Sequence, residues 1–281
     1  MRGSRQPFNP VVLLLAALAA LFFVLPLTGL LVRTPWGNVG SVITSKTSLD
    51  ALRLSLIASL ATTALALVFG FPLAWLLARG RFRGKALLRG LTTLPMVLPP
   101  VVGGIALLLA YGRRGLIGDP LYRALGVTLP FSLLGVIVAE SFVAMPFFVI
   151  TLESGLRSMD TRLEDAARNL GANRWTVFRR VTLPAIVPSL VAGSVLAWSR
   201  ALGEFGATIT FAGNLPGVTQ TAPLAIYISQ SSDRLDEAIA LSLVLVVVSL
   251  GVMIGTRGRP RSRLSRRARG RHPAPAVPAH P

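Results

Sequence analysis

Long apolar runs alternate along the chain with short polar stretches that carry most of its arginines. Crossing a bilayer as a helix takes about 20 predominantly apolar residues. Six such spans can be drawn: 11-VVLLLAALAALFFVLPLTGLLV-32, then Leu54 to Leu77, Leu91 to Tyr111, Phe131 to Leu152, Ala185 to Phe211 and Ala238 to Gly255. Each crossing must satisfy its own backbone hydrogen bonds, so helices are the expected form. The dyad alternation of a membrane β-barrel is absent. The first run follows Arg2 and Arg5 in the manner of a signal peptide. It outruns the roughly 7–15 apolar residues of such a segment, so a retained helix is expected. The third span holds 94-LPMVLPPVVGG-104, whose prolines and glycines must kink or interrupt it. The pattern predicts an all-α polytopic membrane protein with six transmembrane helices.

Composition agrees. Of 281 residues 52% are hydrophobic and 14% charged, against about a quarter charged in soluble domains. The net charge of +18 would suggest nucleic acid in a soluble protein, but here the positive residues lie in loops, and no nucleic-acid partner is expected. Those loops set the topology. Arg79, Arg81, Arg83, Lys85 and Arg89 follow span two, and Arg157, Arg162, Arg168, Arg174, Arg179 and Arg180 follow span four. Eight more arginines lie from Arg257 onward, whereas the loop after span five offers Arg234 against Asp233, Asp236 and Glu237. Both termini are therefore expected in the cytoplasm. Residues 1–10 form a cytoplasmic N-terminus, 11–256 the membrane domain, and 257–281 a basic tail expected to be disordered. That tail either attracts anionic membrane lipid or simply fixes topology. Cysteine is absent and the two histidines, His272 and His280, lie in the tail, so no disulfide, thiol chemistry or metal site is expected.

The polar stretch 164-EDAARNLGANRWTVFRRVTLP-184, within a loop of about 160–184, has helical spacing of its own. Thr161 and Glu164 read as a capping box. Leu163, Ala166, Ala167 and Leu170 then share one face, which the alanines make shallow. Gly171 supplies a left-handed C-terminal cap. Asn173 can cap a second short helix with Trp175, Phe178 and Val181 on its apolar side, and Pro184 opens the next span. The expected product is a rigid elbow, either self-folded or built to receive a partner.

The order Asp165-Ala166-Ala167, three residues, Gly171, nine residues, Val181-Thr182-Leu183-Pro184 resembles the EAA loop of ABC importer permeases. Asp165 stands where the motif has Glu, and Val181 where it has Ile. In that family the loop is a coupling helix that docks on an ATP-hydrolysing subunit. The resemblance thus implies a docking role for Asp165, Ala166, Ala167, Leu170, Gly171, Leu183 and Pro184. The chain has no G-x-x-x-x-G-K-[ST] phosphate loop, so it is expected to be no enzyme and to hold no cofactor, with ATP and Mg on the partner ATPase. Segments 94–118, 140–160 and 200–227 are similar to the molybdate permease subfamily, whose relatives carry tungstate, sulfate or thiosulfate. Covering about Leu52 to Leu250, this resemblance implies a type I importer fold in the plasma (inner) membrane of a prokaryote. The implied partners are a second copy, two ATP-binding cassette subunits and an extracytoplasmic oxyanion-binding protein.

Glu140, Arg200 and Glu204 are the charges farthest from loop ends, and such residues usually face a bundle interior or a cavity. Arg200 and Glu204, spaced i, i+4, are expected on one helix face, and Arg200 lies roughly 24 Å along the helix from Pro184. Arg200 either offers positive potential to a passing dianion, with the two glutamates preventing a trap, or belongs to an ion pair that holds spans four and five together. Gly203, Gly206 and Gly213 permit close helix approach or a hinge. An ion-coupled secondary transporter would show paired broken helices, and the sequence offers one proline-interrupted span without a visible counterpart. No filter sequence of a channel stands out.

Overall fold

A computed structural model describes residues 9–257. The N-terminal residues before Asn9 and the tail beyond Arg257 lie outside the described residues. No strand occurs among the described residues. In chain order the helices are α1 (Pro10–Arg33), α2 (Val39–Ile43), α3 (Lys46–Arg79), α4 (Lys85–Thr93), α5 (Pro100–Tyr111), α6 (Gly118–Leu125), α7 (Leu133–Ser158), α8 (Arg162–Asn169), α9 (Arg174–Leu202), α10 (Gly206–Phe211), α11 (Ala222–Ser231) and α12 (Leu235–Arg257).

Five of these, α1, α3, α7, α9 and α12, are long and apolar enough to cross a membrane. The candidate for a sixth is a broken pair: Lys85–Met96 and Pro100–Tyr111 are bent by 117° at the expected proline stretch. Pro99 and Pro100 have no amide to continue the helix, and Pro99 is extended at ψ 132°. A second break falls among the glycines that had offered close approach or a hinge. The fifth span, read from sequence as continuous from Ala185 to Phe211, ends at Leu202, and a separate short helix starts at Gly206. The loop after it also contains α11, whose first amide, Ala222 N–H, donates to Ser55 Oγ of α3 at 2.7 Å.

The core forms where α3, α7 and α9 meet. Ala66, Ala74, Leu77, Phe148, Val149, Leu152, Leu156, Ile186 and Ala197 make one buried cluster. Small residues let the helices come close, as packing between membrane helices requires. A Cβ at Gly155 of α7 would sit 2.2 Å from Ser189 Oγ of α9. Both α3 and α9 contain a π turn, at Ala66–Gly70 and Phe178–Thr182, and each turn ends two residues before a proline, Pro72 or Pro184. The wider turn absorbs the bond that proline cannot donate. By contrast, α1 buries none of its residues and leans on α12.

Candidate functional site

At the arginine-rich end of the bundle, α8 and the first turns of α9 form the expected elbow. Gly171 adopts φ +83°, the left-handed conformation that ends α8. Asn173 Oδ1 accepts from Thr176 N–H at 2.8 Å and starts α9. Phe178, in the π turn, packs edge-on against Phe71 and Trp75 of α3 at centroid distances of 6.2 and 5.7 Å. Trp175 stacks on Phe178 yet stays exposed, and Val177 is buried in place of Val181. The face of Leu163, Ala166 and Leu170 is exposed, with Leu170 at 89%, and Ala167 is half-buried. Asp165 lies on the surface, paired only with Arg168 at 2.8 Å. Leu183 is half-buried and Pro184 exposed where α9 enters the bundle.

The capping box does not form. Thr161 makes no side-chain cap, and Asp160 Oδ1 accepts from Arg162 N–H at 3.0 Å instead. Glu164 turns inward because stronger partners wait there. Arg79, at the end of α3, donates to both its oxygens at 3.1 and 3.2 Å, and Thr182 Oγ1 donates to Oε1 at 2.7 Å. Charge-assisted, bidentate bonds outweigh a bond to one backbone amide. These groups border a cavity of about 300 Å³ with Trp75, Arg174 and Phe178.

A second carboxylate repeats the arrangement nearby. Glu153 of α7 takes Arg89 of α4 and Arg157 of its own helix, the latter at 2.8 Å. Both arginines also reach Leu77 O, at 3.4 and 3.3 Å. That carbonyl is in the last turn of α3, where no amide of the helix remains to bond it. Sequence reasoning missed Arg79, Arg89, Glu153 and Thr182. Arg157 at i+4 from Glu153 was a visible signal; the Arg79–Glu164 pair, 85 positions apart, left none.

The intramembrane charges are placed differently from expectation. Arg200 and Glu204 do pair, at 2.7 Å, but they do not share a helix face, since α9 stops at Leu202. Glu204 sits in the break and accepts from Ala207 N–H of α10 at 2.8 Å. Its charge, 1% exposed, thus closes the end of one helix and the start of the next. Glu140 makes no direct bond to this pair: it faces Thr62 of α3, whose Oγ1 lies 3.2 Å from Oε2. No ion pair joins the fourth and fifth spans through these residues. The two breaks do meet. A Cβ at Gly206 would lie 2.7 Å from Pro100 Cβ, and one at Gly104 2.6 Å from Thr210 Cβ. The proline-interrupted span therefore has a broken counterpart, which the sequence hid because no proline marks it. Beside α5 an open, apolar cavity of about 430 Å³ lies among Leu65, Leu91, Leu107, Phe142 and Met145. Among the described residues no cluster of potential metal ligands occurs.

Residues 70–256 match the family described as "Binding-protein-dependent transport system inner membrane component". The chain is 48% identical over 246 residues to the molybdenum transport system permease protein ModB of Mycobacterium tuberculosis, covering 87% of this chain and 92% of the relative. It is 43% identical to the Escherichia coli protein of the same name, over 79% and 96% of the two chains. The sulfate transport system permease protein CysT of Escherichia coli is 34% identical, over 89% and 91%. Among solved structures, a chain of a bacterial ABC transporter involved in import of the acidic polysaccharide alginate superposes with a TM-score of 0.66 at 20% identity, over 88% and 93% of the chains. A chain of the inward-facing methionine transporter MetNI gives 0.57 at 18%, over 76% and 96%. These two show the shared fold.

Proposed function

The chain belongs to the family of binding-protein-dependent transport system inner membrane components, and from that premise we propose that it is the permease subunit of an ABC importer that carries molybdate into the cell. Two copies would enclose the path. Two ATPase subunits, carrying ATP and Mg, would dock at the arginine-rich, cytoplasmic end, and an extracytoplasmic binding protein would deliver the oxyanion from the other side.

The observation that carries this reading is the unpartnered face of α8. Leu163, Ala166 and Leu170 are apolar or small, exposed, and mounted on a helix whose other side is anchored by Glu164. Such a face fits a cleft in a partner protein. The higher identity to molybdenum permeases than to sulfate permeases favours molybdate. Sulfate is the second reading, because both anions are tetrahedral dianions and the sulfate permease is itself a relative along most of the chain.

Glu204 already caps α10 and holds Arg200, which supports a structural role for that pair over a binding site for the passing anion. Conduction in any case requires weak contacts.

The test is uptake of labelled molybdate into vesicles that contain this chain, its ATPase and its binding protein, with excess sulfate as competitor. ATP-dependent uptake that ignores sulfate is expected. Uptake erased by sulfate would move the chain to the sulfate branch, and uptake without the ATPase would refute the docking role of α8.

A further inference from the structure

Among the side chains of α8, Glu164 alone is buried. An amphipathic helix normally anchors through apolar residues; this one exposes Leu163 and Leu170 and anchors through a carboxylate. Its main packing is against the first turns of α9. Through Glu164 it gains a bidentate grip on Arg79, the last residue of α3, and a bond from Thr182 in the π turn of α9. Two residues before Arg79, the free carbonyl of Leu77 receives Arg89 and Arg157, and both arginines close on Glu153. Arg89 lies on α4, the first half of the bent span. Two ionic clusters, one on Arg79 and one bonded to Leu77 O, therefore meet in the last turn of α3 and tie it to α8, to α7 and to the helix that leads into the 117° bend.

Resting on the importer reading above, we propose that Glu164 and Glu153, with Arg79, Arg89 and Thr182, are positioning residues that lock the docking helix to the end of α3 and to the broken span, so that these elements move as one body. The adjacent acids divide the work. Asp165 points to the surface and is available to a partner, while Glu164 points inward and transmits. Coupling between distant sites requires such a contiguous rigid route or another element that both sites bias. Apolar packing of α8 supplies little of the route, because Leu163, Ala166 and Leu170 face outward and only the small Ala167 is half-buried.

The experiment uses the full complex, reconstituted in vesicles with its ATPase and binding protein, and reads oxyanion moved per ATP hydrolysed. The parent complex is run with molybdate and with sulfate, so a wrong anion assignment shows in the parent and leaves the ratio measurable with whichever anion it carries. E164Q keeps the side-chain shape and removes the charge. Its ratio is expected to fall about tenfold while ATP hydrolysis persists. Arg79→Met should act likewise, and Arg79→Lys, which keeps the charge but loses the bidentate fork, should retain part of the ratio. Should E164Q fail to assemble, Thr182→Val leaves the ion pair in place and is expected to lower the ratio about threefold. An unchanged ratio in E164Q, or in Thr182→Val if that variant is the one measured, would overturn the proposal. So would uptake and hydrolysis falling in proportion, the mark of a merely structural role, or Arg79→Lys being as impaired as Arg79→Met.

Discussion

Two buried glutamates, Glu164 and Glu204, hold arginines by the same chemistry and serve different ends. Glu164 joins α8, α3 and α9, reaching Arg79 across 85 positions of sequence. Glu204 joins only its own neighbourhood, pairing with Arg200 four residues back and capping a helix that begins two residues on. The first pair joins helices far apart in the chain and the second bridges a local break. In a chain with 29 basic and 11 acidic residues, carboxylates are scarce, and Glu153 and Glu164, buried at the arginine-rich end, each take one arginine from another helix and one from their own.

That contrast can be broken at either glutamate. Glu164→Ala leaves Arg79 and Thr182 without their shared partner, and should cost about 3 kcal/mol, because removing one member of a buried pair strands the other. Thermal unfolding of the purified chain in detergent measures it. Glu204→Ala removes a cap and an ion pair inside one segment, and by the same measurement should cost about 2 kcal/mol. A larger loss at Glu204 than at Glu164 would reverse the comparison. Arg200→Gln can still donate to Glu204, so a loss of about 1 kcal/mol is expected. Oxyanion uptake by the assembled complex should then stay within about threefold of the parent; abolished uptake with assembly intact would make Arg200 part of the path. Asp165→Asn has the smallest expected effect on stability, within about 0.5 kcal/mol, since its exposed pair with Arg168 is screened by solvent. Its expected consequence is weaker retention of the ATPase subunits on size-exclusion chromatography.

The elbow from 160 to 184 was legible in the sequence where local rules apply. Gly171 and Asn173 act through backbone geometry and one short bond, and both do as their positions suggest. Those rules failed at Thr161 and Glu164, where a capping box satisfied the local pattern but a distant arginine offered a stronger bond. The same asymmetry holds for the two breaks. Pro99 and Pro100 announce the bend in the third span, whereas Gly203 to Phe205 interrupt the fifth without a proline. At that second break Gly206 packs closely against Pro100, a residue about a hundred positions away in the chain.

The sequence by itself determined the apolar spans, the arginine-rich loops between them and the turn chemistry of the elbow, because each depends on hydropathy, charge or backbone preference within a few residues. Only the tertiary structure decided where the second break falls, which carboxylate meets which arginine, and which face of α8 stays open. Those outcomes depend on groups far apart in the chain that compete for the same few partners, and folding alone brings them within reach.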